Sequence, residues 1–313
     1  MSTVRSVVVD PSAPAHLALG AVDTPVAGPG DALVRVHALS LNRGEVRRAQ
    51  SEPAGNRPGW DIAGVVEQAA ADGSGPKAGE RVVGLLRTGA WAQLVAVPAL
   101  NLAVLPASVS FSDASTLPVA GLTALYALDR APGLLGRNVL VTGASGGVGH
   151  LAVQLAKHGG ASVTGLVRQE KHAAVVRDAG ADAVVADESG EAARAHGPYN
   201  LVLESVSGQV LASATTMMAP SGLIVVYGVS DGRPAQWETT TILRSRITIS
   251  SLFVFTEAVI EGAGVGLTRL ARMVADGRLK PNVAIEAPWS EIGPVAQQLL
   301  DRSYPGKAVL LVS

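Results

Sequence analysis

Residues 139–157 read VLVTGASGGVGHLAVQLAK. An apolar strand runs through a threonine into a knot of glycines, which opens at once into an apolar pattern of helical period. Bare backbone at such a junction has a physical use. Glycines allow a sharp strand-to-helix turn, let a pyrophosphate approach the main chain and let the helix pack close to the strand. The helix N-terminus adds free N–H groups and a partial positive charge. Gly143, Gly146, Gly147 and Gly149 stand where that geometry needs them, in a GxxGGVG spacing rather than the strict GxGxxG. A glycine-rich loop alone could be purely structural. The strand before it, the helix after it and a second strand ending near Val167 make it a dinucleotide turn.

The second strand also bears on which dinucleotide. An NAD site places Asp or Glu about 20 residues on, at the end of that strand, to bond the ribose 2′-OH. Here the region reads VTGLVRQEKH, so the first charge is Arg168, with Lys171 close behind. A cation suits a 2′-phosphate by charge and by guanidinium–phosphate geometry. The residues favour NADPH over the alternative that both cations are solvated residues opening a helix. Glu170 weakens the positive field slightly.

Outward from the turn, apolar strands alternate with helices from Arg137: VLVTG, SVTGLV, AVVAD, YNLVLES and GLIVVYG, with helical patterns between them. Continuous apolar strands alternating with helices indicate a parallel sheet covered on both faces. Before about Ser115 the texture differs. Short alternating runs such as DALVRVHAL, GWDIAGVVEQ, ERVVGLL and WAQLVAV are separated by Gly/Pro turns, which fits an antiparallel, barrel-like β domain. TLPVAGLTALYALDRAPG joins the two textures as a helix ending at Gly133. From about Lys280 the chain returns to short strands around one helix. The expected division is 1–117, 118–279 and a tail, 280–313, that rejoins the first domain.

Composition excludes several function classes. The 313 residues suffice for two packed domains, 48% are hydrophobic, and the formal net charge is −1, so no global field draws the chain to nucleic acid or anionic lipid. The uncharged run from Thr88 to Ser112 is broken by Gln93, Pro98, Asn101 and Pro106, and WAQLVAV alternates, so no bilayer span is expected. MSTVRSVVVD has no basic segment followed by an apolar one; no secretion signal and a cytoplasmic location are expected. With no cysteine there is no disulfide, thiol nucleophile or thiolate metal site, and the six histidines are scattered, so no metal is expected.

In order and spacing, SLNRGE, RPGWDIAGVV, GLTALYAL, VLVTGASGGVGHLAVQLAK, AGADAVV, LVLESVSG, GLIVVYG and PGKAVLLV resemble a known family. It is the zinc-independent medium-chain dehydrogenases/reductases of the quinone oxidoreductase type, a group that includes polyketide enoyl reductase domains. The resemblance implies an α/β protein: a GroES-like β-rich domain plus a Rossmann, doubly wound parallel-sheet domain, with a cofactor cleft between them. It also implies phosphates over Ser145, Gly146, Gly147 and Val148, Thr123 near the nicotinamide mononucleotide half, and Arg302 near the cofactor. Ser205 and Gly228 would line the adenosine and nicotinamide sides. Asn42 would flank the nicotinamide, orienting it or donating to the substrate oxygen as enolate charge develops. Glu45 is expected to bond back to its own turn. Trp60, Phe253 and Phe255 are candidates for an apolar acceptor pocket, with simple core packing the alternative.

Departures from the family's metal-dependent branch matter. Zinc-dependent relatives carry a catalytic Cys, a His-Glu pair where this chain has Gly59, Trp60 and Asp61, and a four-Cys lobe. A short-chain reductase reading of TGASGGVG fails, because that motif belongs near an N-terminus and no Tyr-x-x-x-Lys pair occurs; Tyr304 and Lys307 are three apart, in the tail. The implied activity is hydride delivery from NADPH to an already polarised small apolar acceptor, a quinone or a C=C conjugated to a carbonyl. No side chain stands out as proton donor, so solvent is expected to supply the proton. Arg43, Arg47 and Arg48 are expected to face water. The alternatives are a biosynthetic reductase serving one pathway intermediate and a non-catalytic NADPH-binding regulator. RSRITISSLF resembles the family's outer strand, implying a homodimer.

Overall fold

In DALVRVHALS the burial alternates: Ala32, Val34 and Val36 are buried while Arg35 and His37 are exposed. That period of two makes a strand with one face on a core. The computed structural model, which describes residues 2–313, repeats the pattern through the N-terminal region. Strands β1 (Thr3–Val9), β2 (Leu17–Asp23), β3 (Asp31–Ser40), β4 (Asp61–Gln68), β5 (Arg81–Leu85), β6 (Leu94–Pro98) and β7 (Leu102–Val104) follow one another. Helix α1 (Arg43–Ala49) lies between β3 and β4, and α2 (Phe111–Ser115) follows β7.

Next come α3 (Leu122–Asp129), β8 (Asn138–Thr142), α4 (Gly147–His158), β9 (Ser162–Val167), α5 (Ala173–Asp178), β10 (Ala183–Ala186), β11 (Tyr199–Glu204), α6 (Gly208–Thr215), β12 (Met218–Val226), α7 (Thr239–Ser245) and β13 (Thr248–Ser251). The chain closes with α8 (Val254–Glu261), α9 (Ala263–Ala275), β14 (Val283–Pro288), α10 (Ile292–Leu300) and β15 (Lys307–Leu311). Among the described residues no helix is long and apolar enough to cross a membrane.

Two compact units result. The first holds the chain up to Leu122 together with Glu257–Ser313; the second is Thr123–Thr256. In the first, the main sheet runs β14-β15-β3-β4-β5-β7, β6 also pairs with β3, and β1 and β2 form a separate antiparallel pair. This is the GroES-like domain. Trp91, Trp289, Leu17, Leu39 and Ile62 are fully buried at its centre. The tail joins it directly: β15 pairs antiparallel with β3, setting Val309 opposite Ser40.

The second unit is a Rossmann sheet, all parallel, in the order β10-β9-β8-β11-β12-β13. Counting from β8, that is the 3-2-1-4-5-6 order of a doubly wound fold, with its topological switch between β8 and β11. Leu140, Tyr199, Val202 and Ile224 pack on one face. β13 is a free edge, tied to its own unit by the Arg130 guanidinium, which donates to Ser250 Oγ and the Ser251 carbonyl (2.5 Å each).

Two boundaries differ from the sequence expectation. The second unit ends at Thr256, not 279, because α9 buries Ala263, Leu267, Leu270 and Ala271 and packs on β5 and β7. Gly264 comes so close to β7 that a Cβ would meet the Leu102 carbonyl oxygen at 2.4 Å. The helix expected through Gly133 instead begins as a π-helical turn, Leu117–Gly121, and its α-helical part ends at Asp129.

Candidate functional site

The turn after β8 sits at the switch point. Gly143 has φ +59, a left-handed conformation that glycine adopts without a Cβ penalty. Its carbonyl accepts the Gly146 N–H (2.9 Å), while the Ala144 N–H donates across to Leu166 on β9 (3.0 Å). Helix α4 then starts with Gly146 as N-cap, no side-chain cap and no acidic residue in its first turn. Its opening N–H groups therefore lack side-chain partners, and residues 145–148 are partly exposed. Gly149 closes the packing: a Cβ there would lie 2.4 Å from the Gly143 oxygen and 2.7 Å from Ala144 Cα. A glycine-rich main chain, with donors at a dipole's positive end, fits a dinucleotide diphosphate.

Arg168 and Lys171 follow the end of β9 and are exposed. Glu170 does not neutralise them, because its carboxylate is turned onto Arg177 (3.1 Å) on α5. The remaining positive field registers on His172. Burial, then the Lys171 and Arg168 charges, hold its imidazole below the ordinary protonation range.

At the end of β11 stands a fully buried carboxylate that the sequence reading did not single out. Glu204 accepts the Val206 N–H (2.8 Å), the Ser207 N–H (3.1 Å) and the Thr142 hydroxyl (3.2 Å). Burial pushes its carboxyl above the usual carboxylate range, against the lowering pull of those bonds. Beside it the Ser205 N–H donates to Thr142 Oγ1 (2.9 Å) and the Ser205 hydroxyl to the Thr142 carbonyl (3.1 Å), locking β11 to β8 at the switch. Gly228 follows β12 next to Ser205. β11 and β12 both lie across β8 from β9, so Ser205 is not on the Arg168 side, where the adenosine was expected. Thr123 is buried at the start of the second unit.

Within the first unit, Asn42 belongs to a buried polar network. Its side-chain N–H groups donate to Asp61 Oδ2 (2.6 Å) and Glu45 Oε1 (3.0 Å), and its Oδ1 accepts from the Lys307 ammonium (2.6 Å). The amide orientation follows from its partners: reversed, it would set NH2 against an ammonium and its oxygen against two carboxyl oxygens. Both amide hydrogens are thus spent inside the chain. This departs from the expectation that Asn42 donates to a substrate oxygen. Glu45 does bond back to its own turn, accepting the Asn42 main-chain N–H at 2.7 Å.

Asp61 is the hub of that network. It is 0% exposed and also accepts from Ser40 Oγ (2.7 Å), the Val119 N–H (3.0 Å) and Lys307 Nζ (3.3 Å). The Val119 donor comes from the π-helical turn. Lys307, 4% exposed, spends its remaining donor on the Leu41 carbonyl (2.8 Å). In sequence, the cue to Glu45 was its place three residues after a capping Asn; Asp61 and Lys307 gave none.

Burial, then the neighbouring Asp61 charge, pushes the Glu45 carboxyl well above the usual range, against the pull of Lys307. At pH values between the ordinary carboxylate range and the raised folded value, Glu45 holds a proton when folded that it releases when unfolded. Its stabilising contribution is complete below the ordinary carboxylate range and is lost as pH rises through the folded value. Glu45→Gln is expected to flatten the fall in stability toward alkaline pH. Denaturant titrations across pH that give parallel curves for both proteins would contradict this.

Other expected residues fall as follows. Trp60 is partly buried in the first unit, against Gly44, and Arg302 follows α10 in that unit with φ +57. Arg47 and Arg48 are exposed, Arg43 partly so. Phe253 and Phe255 belong to the second unit, meeting edge to face at 5.3 Å; Phe253 is 59% exposed and Phe255 buried. Among the described residues no group of three His, Asp or Glu stands close enough to hold a metal ion.

Comparison with known proteins adds to this geometry. Residues 28–107 match the alcohol dehydrogenase GroES-like domain, and residues 147–265 the zinc-binding dehydrogenase domain. The chain is similar to the spectinabilin polyketide synthase system protein NorB of Streptomyces orinoci, 36% identical over 214 residues. That match covers 66% of this chain and spans only 10% of the relative's length. It is also similar to the chloroplast envelope quinone oxidoreductase homolog of Arabidopsis thaliana, 29% identical over 311 residues and covering 92% of each. A mycobacterial protein solved in complex with NADPH shares its fold, with a TM-score of 0.87 at 22% identity over 98% of this chain and 99% of that one. The described sheet order, the glycine turn and these matches agree: the chain belongs to the medium-chain dehydrogenase/reductase family of oxidoreductases, in its zinc-independent, quinone oxidoreductase type.

Proposed function

We propose that this protein is an NADPH-dependent reductase of a quinone or an α,β-unsaturated carbonyl compound, working in the cytoplasm without a metal. The observation that carries the reading is the glycine-rich turn at the β8–β11 switch, with Arg168 at the end of the adjoining strand. The quinone oxidoreductase relative and the NADPH complex of the mycobacterial neighbour support it.

When bound, the nucleotide supplies a hydride; every other task falls to the chain. The N–H groups of Gly147 and Val148 at the start of α4, and of Ser145 in the turn before it, take the diphosphate charge, while Gly143 and Gly146 shape the turn. Arg168 and Lys171 take the 2′-phosphate. Thr123, Ser205 and Gly228, all of the second unit, position the remainder. Asp61 and Lys307 hold Asn42 in one orientation at no later reorganisation cost. Phe253 and Phe255 offer apolar surface to the acceptor. The acceptor gains a hydride and then a proton, which water delivers to the enolate or hydroquinone oxyanion.

The test is to mix the protein with NADPH and a panel of enones and quinones while following absorbance of the reduced nicotinamide. Oxidation above background supports the reading, and none with any acceptor counts against it. Tight NADPH binding without turnover would select the regulatory alternative. The cofactor preference has a separate check. Arg168→Glu is expected to weaken NADPH about tenfold while changing NADH little, an effect that shrinks as salt screens it. Equal losses for the two nucleotides, measured by titration, would remove Arg168 from the phosphate site.

A second reading follows from the polyketide synthase relative: the acceptor is an enoyl thioester on a carrier and the enzyme serves one biosynthetic step. Higher kcat/KM for enoyl thioesters than for free enones and quinones would select it. The free edge of β13 supports a homodimer formed by pairing across that edge. A dimer mass by light scattering at micromolar concentration is expected, and a monomer mass would contradict it.

A further inference from the structure

The segment between α1 and β4 is fastened into the first unit through its main chain. The Gly55 N–H donates to the Val9 carbonyl and the Val9 N–H to the Asn56 carbonyl, each at 2.8 Å. The Arg57 carbonyl then accepts the Thr88 hydroxyl (2.6 Å) and the Gly89 N–H (2.9 Å), both from the loop between β5 and β6. Two residues on, Gly59 lies so tightly on Trp91 that a Cβ would meet the indole Cγ at 2.5 Å. The Arg57 main chain is thus held on both sides, and its side chain leaves from a fixed place.

Nothing in the chain uses that side chain. Arg57 is partly buried, and its Nε is sealed from solvent without an acceptor. Among the described residues no carboxylate, carbonyl oxygen or ring pairs with the guanidinium. Arg81, also partly buried in this unit, is fully engaged by contrast: its Nη groups donate to the Pro106, Ala107 and Val109 carbonyls. Burial, with no neighbouring charge acting, holds the Arg57 pKa below its ordinary value, yet a guanidinium stays protonated at physiological pH. A cation that has given up part of its hydration without a counter-charge carries a cost that a bound anion offsets.

The geometry also says how an anion reaches it. With Nε sealed, a side-on approach is closed, and the unsealed end is the pair Nη1 and Nη2. That planar fork meets two oxygens of a carboxylate or a phosphate at once. The neighbouring loop leaves the fork uncovered, because residue 89 is a glycine whose missing Cβ would stand 3.9 Å from Nη2. We propose that Arg57 is an oxyanion site of the first unit, holding end-on the carboxylate or phosphate group of a small molecule. The nucleotide reading does not use this residue.

The test compares wild type with Arg57→Met at fixed ionic strength, using acetate and inorganic phosphate as probes. In nitrogen-15-labelled wild type, the Arg57 Nε–H resonance, identified by its loss in the variant, is expected to move saturably at about millimolar anion. A stronger response to acetate assigns a carboxylate ligand, and a stronger response to phosphate a phosphorylated one. The same anion is expected to raise the thermal midpoint of wild type and leave that of the variant unmoved. Without either anion, the variant is expected to be at least as stable as wild type, because methionine replaces an uncompensated cation. Movement that never saturates with either probe, or a variant that loses stability in their absence, overturns the assignment.

Discussion

Gly149→Ala is expected to weaken NADPH binding by about ten- to a hundredfold and to destabilise the fold by about 1–3 kcal/mol. The added methyl would sit 2.4 Å from the Gly143 oxygen and 2.7 Å from Ala144 Cα. Both are main-chain atoms, so no side chain can swing away. Either α4 lifts off the turn or the turn opens, and Gly143 is already committed: its left-handed conformation delivers the carbonyl that accepts the Gly146 N–H. In both cases the opening N–H groups of α4 lose the alignment that makes them an anion site. Titration with NADPH, alongside thermal denaturation, checks the two effects. Wild-type affinity in the variant would show that the turn does not hold the diphosphate.

Lys307→Met is expected to cost about 3–5 kcal/mol, a large share of the stability of an ordinary domain. The ammonium is the positive group donating to Asp61, and its removal leaves a carboxylate with 0% exposure facing only neutral donors. The Leu41 carbonyl and Asn42 Oδ1 lose a donor at the same time. Methionine fills the volume, so the loss measures the charge and its hydrogen bonds rather than a cavity. Asp61→Asn in the same background should recover part of the loss, because a neutral amide needs no counter-charge. A change below about 1 kcal/mol in urea denaturation would mean that Asp61 is compensated by other means.

What the sequence disclosed was local. The β8–α4 turn is legible because strand period, glycines and helix period are adjacent in the chain, and all three act through contacts within a dozen residues. The sheet order is not. Nothing in YNLVLES says that β11 lies across β8 from β9, and Ser205 was accordingly assigned to the adenosine side. Helix α9 has the same amphipathic texture as a Rossmann helix; only the apolar surface of β5 and β7 decides where it packs. The buried network escaped for a related reason. Asp61 and Lys307 each read as one more charge near a strand terminus. Their burial follows from register, which places Asp61 opposite Ser40 and Ser40 opposite Val309, and from a π-helical turn that turns the Val119 N–H toward the carboxylate.

The central claim is that a main-chain cradle at the β8–β11 switch, flanked by Arg168, holds a phosphorylated nicotinamide dinucleotide. Calorimetric titration of the wild-type protein with NADPH and, separately, with NADH tests it most directly. The account predicts saturable binding of one NADPH per chain, tighter than NADH. Absence of binding for both nucleotides would contradict it.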